Sequence, residues 1–345
     1  MWSIAMVKIT VIAGGTGSVK LVRGLAQAAR TGGGREKEKK DDLAVIANVG
    51  DNIWLYGLYV CPDIDTVVYG LGGMLDEKRG WGVRGDTFSF LDQVAKVAPA
   101  QAASKGEKPW FSLGDRDLAM HVLRTAMLRE GKSLSEVTAA VAKRLGIREK
   151  IIPATDDDVQ TMISAARAPG GADATSTTTT TTTMHLQEFW VKNRGRPAVL
   201  GVQYRGIEKA KPSADAMRAI RDADMVIIAP GNPVSSIGPT VALAGLRQEL
   251  ARARDRVVAV SPMIGNKAVS GPAAKYMKAV GLPSSPEGVA RYYQDFAGTL
   301  VISESDSRMS GRIEGRTGMR VRLANITMKS SRDEVALARY LLGRR

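Results

Sequence analysis

One cysteine among 345 residues, Cys61, excludes an intramolecular disulfide and any cysteine-based zinc site. Only His121 and His185 can supply imidazole, so a metal bound here draws on oxygen ligands. Aromatic residues are scarce, at 5%, and no nucleic-acid-binding motif accompanies them. Basic residues are scattered through predicted helices and turns rather than gathered in one patch, so the net charge of +14 suits a nucleotide or phosphorylated metabolite better than nucleic acid. Long apolar runs are missing too: Met225 to Pro230 and Val257 to Val260 are far too short to cross a bilayer. No apolar stretch precedes a cleavage site, and a cytoplasmic protein without membrane contact is expected. Met6, just before the first strand, is an alternative start that leaves the first five residues without a role.

What is present is enough apolar residue, 44%, to bury a large core. Apolar, β-branched runs bounded by Gly or Pro recur at Lys8 to Ala13, Leu43 to Asn48, Met225 to Ala229, Val257 to Ser261 and Leu300 to Ser303. Each reads as a strand buried on both faces. Helical segments alternate with them at Ser18 to Arg30, Leu118 to Glu130, Leu134 to Leu145, Ala214 to Asp222, Pro239 to Arg252 and Gly271 to Val280. That alternation predicts an α/β fold with a doubly wound, mostly parallel, Rossmann-like sheet, whose ligands lie beyond the carboxyl ends of the strands. Leu186 to Lys192 and Val199 to Tyr204 read as a small β-hairpin. The Thr-rich stretch, residues 168–184, reads as a disordered loop, and the charged, Gly-rich connection 32–42 as solvated. One domain is expected over residues 7–306, with a helical insertion at 76–150 covering the ligand edge as a lid. Residues 307–345 complete it with a strand and a helix.

The chemistry-bearing residues cluster at strand ends. Gly14, Gly15, Thr16, Gly17 and Ser18 follow a strand and open a helix, where glycines let the backbone approach an anion and the helix terminus offers free N–H groups. The loop is neither a P-loop nor the full dinucleotide fingerprint, and a plain tight turn also explains it. Asp51 follows the second strand, and Asp63 and Asp65 lie in the turn CPDID. Such carboxylates can ligate Mg²⁺ or simply cap a turn and a helix. Trp81 beside Arg84, in GWGVRGDTFSF, makes a platform for a planar heterocycle, unless Arg84 pairs with Asp86 in a packed loop. His121, behind Asp115 and Asp117, reads as a structural histidine. Gly231, Asn232, Ser235 and Ser236 in APGNPVSSIGP present donors for a nucleotide's phosphate or base, and SPMIGNKAVSGPAAK repeats the pattern.

Taken in order, GGTGS, VGDNIWLYGLYVCPDIDTVVYGL, GWGVRGDTF, WFSLGDRDLAMHVLRT, GNPVSSIGP and SPMIGNKAVSGPAAK resemble the 2-phospho-L-lactate transferase family of deazaflavin coenzyme F-420 biosynthesis. The likeness runs from Val7 to about Asp306, and MRVRLANITM is similar to the family's closing strand. It implies transfer of a phospholactyl or phosphoenolpyruvyl group from a GMP-activated diphosphate donor to a hydroxyl of the deazaflavin Fo, with Mg²⁺ as cofactor and GMP as leaving group. By the same resemblance Asp51 is the catalytic residue, Asp51, Arg84 and Trp81 contact Fo, and Asp51 and Asp65 hold the metal. The loops with Gly14 to Ser18 and with Gly231, Asn232, Ser235 and Ser236 hold the phosphates and guanosine. A homodimer is the default assembly.

The sequence departs from that pattern at Asn52, where a second Asp is expected, and in the Thr-rich and charged connections. A second reading is a non-enzymatic nucleotide-sugar-binding regulator on the same fold, as in the related gluconeogenesis-factor family. GWGVRGDTF and WFSLGDRDLAMH favour the transferase, because a large acceptor needs the extra wall. A nicotinamide-dependent oxidoreductase ranks last, since the fingerprint's third glycine and an acidic ribose partner are missing.

Overall fold

The computed structural model describes residues 7–31, 42–97, 110–166 and 181–344. The first half builds β1 (Lys8–Ala13), α1 (Gly15–Thr31), β2 (Asp42–Ala47), the hairpin β3 (Ile53–Leu55) and β4 (Leu58–Val60), and α2 (Pro62–Leu71). Then come α3 (Ser89–Val97), α4 (Asp115–Arg129), α5 (Leu134–Arg144), β5 (Lys150–Pro153), β6 (Gln160–Ala166), β7 (Thr181–His185) and β8 (Val199–Arg205). The second half adds α6 (Ala214–Asp222), β9 (Met225–Ile228), α7 (Gly238–Ala242), α8 (Ala244–Arg252), β10 (Val257–Val260), and the short pair β11 (Met263–Ile264) and β12 (Lys267–Ala268). It ends with α9 (Ala273–Ala279), α10 (Pro286–Tyr293), β13 (Thr299–Ser303), α11 (Ser310–Thr317), β14 (Arg320–Ala324) and α12 (Ser331–Leu341).

Seven strands form one parallel sheet in the order β14-β13-β10-β9-β1-β2-β5. Burial on both faces follows from the strand sequences, since residues alternate between two cores: Ile9, Val11 and Ala13 join the core with α1 and α2, and Ile12 joins the one with α6 to α10. The chain winds from β1 outward to β2, then returns to build from β9 in the opposite direction. The switch point therefore lies between β1 and β9, and the crevice beyond their carboxyl ends is where such sheets bind ligands. Gly14 and the first turn of α1, Gly15 to Gly17, follow β1, and the segment after β9 carries Gly231 to Ser236.

Three local expectations are corrected. The small antiparallel element is a three-stranded sheet, β7-β6-β8, and neither outer strand pairs with the other. Leu186 to Lys192 is not extended; it winds into a wide helical turn over Glu188–Lys192, because Leu186 and Phe189, three residues apart, are both buried. The Thr-rich stretch contributes Thr181 to Met184 to β7, paired with β6, where β-branched side chains suit an extended ladder. The rest of that stretch and positions 32–41 lie outside the described residues. The helix expected over Pro239 to Arg252 is interrupted where Leu243 turns extended, at φ −60° and ψ 116°.

Candidate active site

Glycine at two positions brings the two crevice loops together. A Cβ on Gly14 would sit 2.2 Å from the carbonyl oxygen of Ser236, and Gly15 adopts φ +73°, where other side chains strain. The first loop is therefore fitted to the second, and α1 starts at Gly15 rather than at Ser18. Ser18 Oγ donates to Gly14 O at 2.6 Å, accepts from Gly14 N and is buried, so Ser18 and Gly14 shape the loop without lining the cleft. Gly15, Thr16 and Gly17 do line it.

The cleft has a volume of about 460 Å³ and gathers residues from Gly15 to Tyr276 of the chain. Asp51, Asp63, Gly231, Asn232, Ser235 and Ser236 face it, together with the rings of Trp81, Phe111, Trp190 and Tyr276. Asn232 Oδ1 accepts from the N–H groups of Val234 and Ser235, capping the helical turn that follows. Among the described residues its Nδ2 has no partner, nor has the buried hydroxyl of Tyr276. Both are donors on the cleft wall that a polar ligand can satisfy.

The centre of the site is a pair of carboxylates joined through one amide. Asn48, at the end of β2, donates from Nδ2 to Asp63 Oδ2 at 2.8 Å and to Asp51 Oδ1 at 3.2 Å, while its Oδ1 accepts from Gly50 N at 3.0 Å. Asp63 Oδ1 also accepts from Gly15 N at 2.8 Å, so the first free N–H of the anion cradle already holds an acid. Thr16 and Gly17 keep their first-turn N–H groups for a ligand. Burial and the neighbouring Asp63 hold Asp51 well above the usual carboxylate range, against the opposing pull of Asn48. Burial also raises Asp63 to about 6, although Asn48 and Gly15 pull it down. Two like charges in one buried spot favour either a proton or a cation between them.

Asp65 is the second acid expected to hold the metal, and in the structure it is already paired with a cation. Asp65 borders the same cleft, but its carboxylate is held by both guanidinium ends of Arg124, which is 3% exposed. His121 extends that cluster: its Nδ1 lies 3.6 Å from Asp65 and its Nε2 3.3 Å from Asp117, whose other partner is the Tyr69 hydroxyl. Burial would raise Asp117, but His121 and the Tyr69 hydroxyl outweigh it and hold the acid below its ordinary value. His121 is thus built into a buried cluster with Asp65, Asp117 and Arg124. Asn52 is buried away from the cleft, donating to the Tyr59 hydroxyl at 3.3 Å, so its amide deprives the site of nothing.

Arg84 is the other residue the structure moves. It borders a separate, mostly apolar cavity of about 770 Å³ with Met74, Met120, Leu123 and Val141, and its Nη2 donates to Gly73 O at 2.6 Å. Trp81 does line the main cleft, and the guanidinium over its ring belongs to Arg79, 5.2 Å from the ring centroid. Asp86 does not pair with Arg84; it accepts from the N–H groups of Arg116 and Asp117 and caps α4, while Asp115 caps α3 through Ser89 and Phe90. Sequence reasoning missed Asn48 and Gln187. Gln187 Nε2 reaches Asp51 Oδ2 at 3.5 Å, and its N–H donates to Nδ1 of His185, whose Nε2 therefore carries the proton toward Asn52 O. Burial lowers His185 to about 4, keeping the ring neutral. Asn48 could have been found as the polar residue ending an apolar strand; Gln187 carries no such signal.

No group of three or more His, Cys, Asp or Glu side chains clusters as a metal site among the described residues. A hard divalent cation needs fewer from the protein when substrate phosphates and water complete its shell, and two uncompensated buried carboxylates fit that use. Among the described residues no helix is long and apolar enough to cross a membrane.

A family model described as 2-phospho-L-lactate transferase CofD matches residues 9–328. The chain belongs to the 2-phospho-L-lactate transferase family. It is 37% identical to the 2-phospho-L-lactate transferase of Methanosarcina acetivorans, over 96% of this chain and 97% of that one. It is 38% identical to that of Methanocaldococcus jannaschii and 38% identical to a phosphoenolpyruvate transferase of Streptomyces griseus, each over 97% of both chains. A UPF0052 family protein from Bacillus halodurans has the same fold, with a TM-score of 0.58 over 98% of this chain and 99% of that chain, at 13% identity. Membership makes the protein a transferase, and Gly15, Asp51 and Asn232 line one cleft beyond the strand ends of its sheet.

Proposed function

We propose that this transferase moves a 2-phospholactyl or phosphoenolpyruvyl group from a guanosine-diphosphate-linked acid to a hydroxyl of deazaflavin Fo and releases GMP, in coenzyme F-420 biosynthesis. The observation that carries the reading is the Asp51–Asn48–Asp63 unit facing the cradle of Thr16 and Gly17 across one cleft. The acceptor hydroxyl oxygen attacks the acid-side phosphorus, the bridging P–O bond breaks, and its electron pair leaves on the GMP phosphate. The hydroxyl proton passes to a carboxylate oxygen of the Asp51–Asp63 pair that is left free by the other ligands. Most of the catalysis is positioning: first-turn N–H groups and Asn232 hold the donor, while Trp81, Phe111 and Trp190 offer faces for planar rings. Mg²⁺ bound by Asp51 and Asp63 would supply charge neutralisation on the diphosphate.

The test is mass spectrometry of the product formed from Fo with each of the lactyl, enolpyruvyl and glyceryl guanosine diphosphate donors. One phosphorylated acyl adduct of Fo, with GMP in equal amount, is expected; no adduct from any donor overturns the reading. Turnover is expected to vanish in chelator and return with Mg²⁺. Undiminished rates in chelator would remove the metal from the proposal.

A further inference from the structure

The cleft is acidic, with Asp51, Asp63, Asp65 and Asp117 on its walls, yet it has to accept a donor that is itself an anion. Among its described lining residues there is a single Lys or Arg, and it is Arg79. Arg124 lies behind the wall and is spent on Asp65. How Arg79 is held bears on what it does. Residues 75–83 form a closed strap: Leu75 and Val83 bridge, Asp76 N donates to Gly82 O at 3.0 Å, and Gly80 N to Asp76 O at 2.8 Å. Asp76 accepts Arg79 Nε at 2.8 Å, and the guanidinium carbon lies 5.2 Å from the Trp81 ring and 5.3 Å from that of Phe88. Such bracing removes most of the rotamer freedom that a long side chain ordinarily loses on binding. The strap also touches the anion cradle, because a Cβ on Gly80, the next residue, would lie 3.7 Å from Thr16 Cβ. Nη2 makes only a long contact to Val83 O, at 3.4 Å, and Nη1 has no partner among the described residues.

We propose that Arg79 is a catalytic residue of the transfer, clamping the guanosine-side phosphate of the donor. The inference rests on the transferase reading above. In that reaction the acceptor O–P bond forms, the bridging P–O bond breaks with its electron pair going to the GMP phosphate, and the hydroxyl proton goes to the Asp51–Asp63 pair. Charge grows on the leaving phosphate, and a fixed guanidinium beside it lowers the barrier more than it tightens ground-state binding. A planar fork suits two phosphate oxygens at once, which a lysine ammonium does not.

The experiment compares wild type with Arg79→Gln, Arg79→Lys and Arg79→Ala, following product by mass spectrometry and binding of GMP and of guanosine by calorimetry. Arg79→Gln is expected to lower kcat at least about 10²-fold, with the KM for Fo unchanged. It should also bring the affinity for GMP close to that for guanosine, a ratio that a merely structural role would not move. Arg79→Lys should recover only part of the loss, and guanidinium ion in solution should restore turnover to Arg79→Ala. A kcat within about threefold of wild type, or an unchanged GMP-to-guanosine ratio in a folded variant, overturns the assignment. Wild type that forms no adduct at all fails the transferase reading instead, so the two failures are distinguishable.

Discussion

Asp63 and Asp65 stand on the same first turn of α2, both less than a tenth exposed, and the structure treats them in opposite ways. Asp65 meets a buried guanidinium, two hydrogen bonds and a histidine. Asp63 meets an amide, a backbone N–H and a second acid, with no cation among its hydrogen-bond or ion-pair partners in the described residues. A buried charge with a matched partner belongs to the scaffold, and one facing its like is held ready for something that arrives. Two residues of sequence, and therefore about 200° of helix rotation, separate the two outcomes. Asp65 points toward α4 and its Arg124, and Asp63 toward the crevice beneath α1.

The comparison breaks most visibly if the scaffold side is cut. Arg124→Met leaves Asp65 buried and unpaired, which is expected to cost about 3–5 kcal/mol of stability, read as a shift in the denaturation midpoint. Adding Asp65→Asn to Arg124→Met should return much of that loss, because the uncompensated charge is gone. If Arg124→Met unfolds no more easily than wild type, Asp65 has some other partner and the contrast with Asp63 fails.

On the crevice side the same operation should spare stability and remove activity. Asp51→Ala is expected to keep the wild-type melting temperature or raise it slightly, since one of two repelling acids disappears. Turnover should fall at least about 10²-fold, measured with Fo and the preferred donor. Full activity in purified, folded Asp51→Ala would detach the acid pair from the chemistry.

Much of this was legible in the residues themselves. The strand Lys8 to Ala13 and the helix Ala214 to Asp222 stand where the apolar runs and their alternation with helical segments indicate, because such patterns are local signals. The crevice loops were legible for a similar reason: Gly and Asn at strand ends carry their own conformational meaning. The choice between Asp63 and Asp65 was not legible, since it depends on where α4, some 60 residues later, places Arg124. Arg84 was misplaced by the same kind of distance: the strap 75–83 turns Arg79, not Arg84, onto Trp81. Leu186 to Lys192 misled because apolar residues three apart and a weak alternation coexist in so short a stretch. Gln187 became informative only once His185 was seen to fix its backbone beside Asp51.

The finest test of the contrast is the pH dependence of stability without divalent cations. Asp63 carries a folded-state value of about 6, above its ordinary value of 3.8, and Asp51 is raised as well. Between those limits the native state binds more protons than the unfolded chain, so this pair makes stability fall as pH rises from about 4 through 6. His185 acts in the opposite sense: lowered to about 4, it stays neutral when folded and charges when unfolded, so it adds stability as pH rises from 4 to 6.5. The two trends partly cancel in wild type. Replacing both acids, Asp51→Asn with Asp63→Asn, removes the pair's contribution and should leave stability rising with pH over that window, in denaturant titrations at pH 4, 5, 6 and 7. A profile for the double variant that still falls from pH 4 to 6 would mean that another buried acid, and not this pair, carries the uncompensated charge.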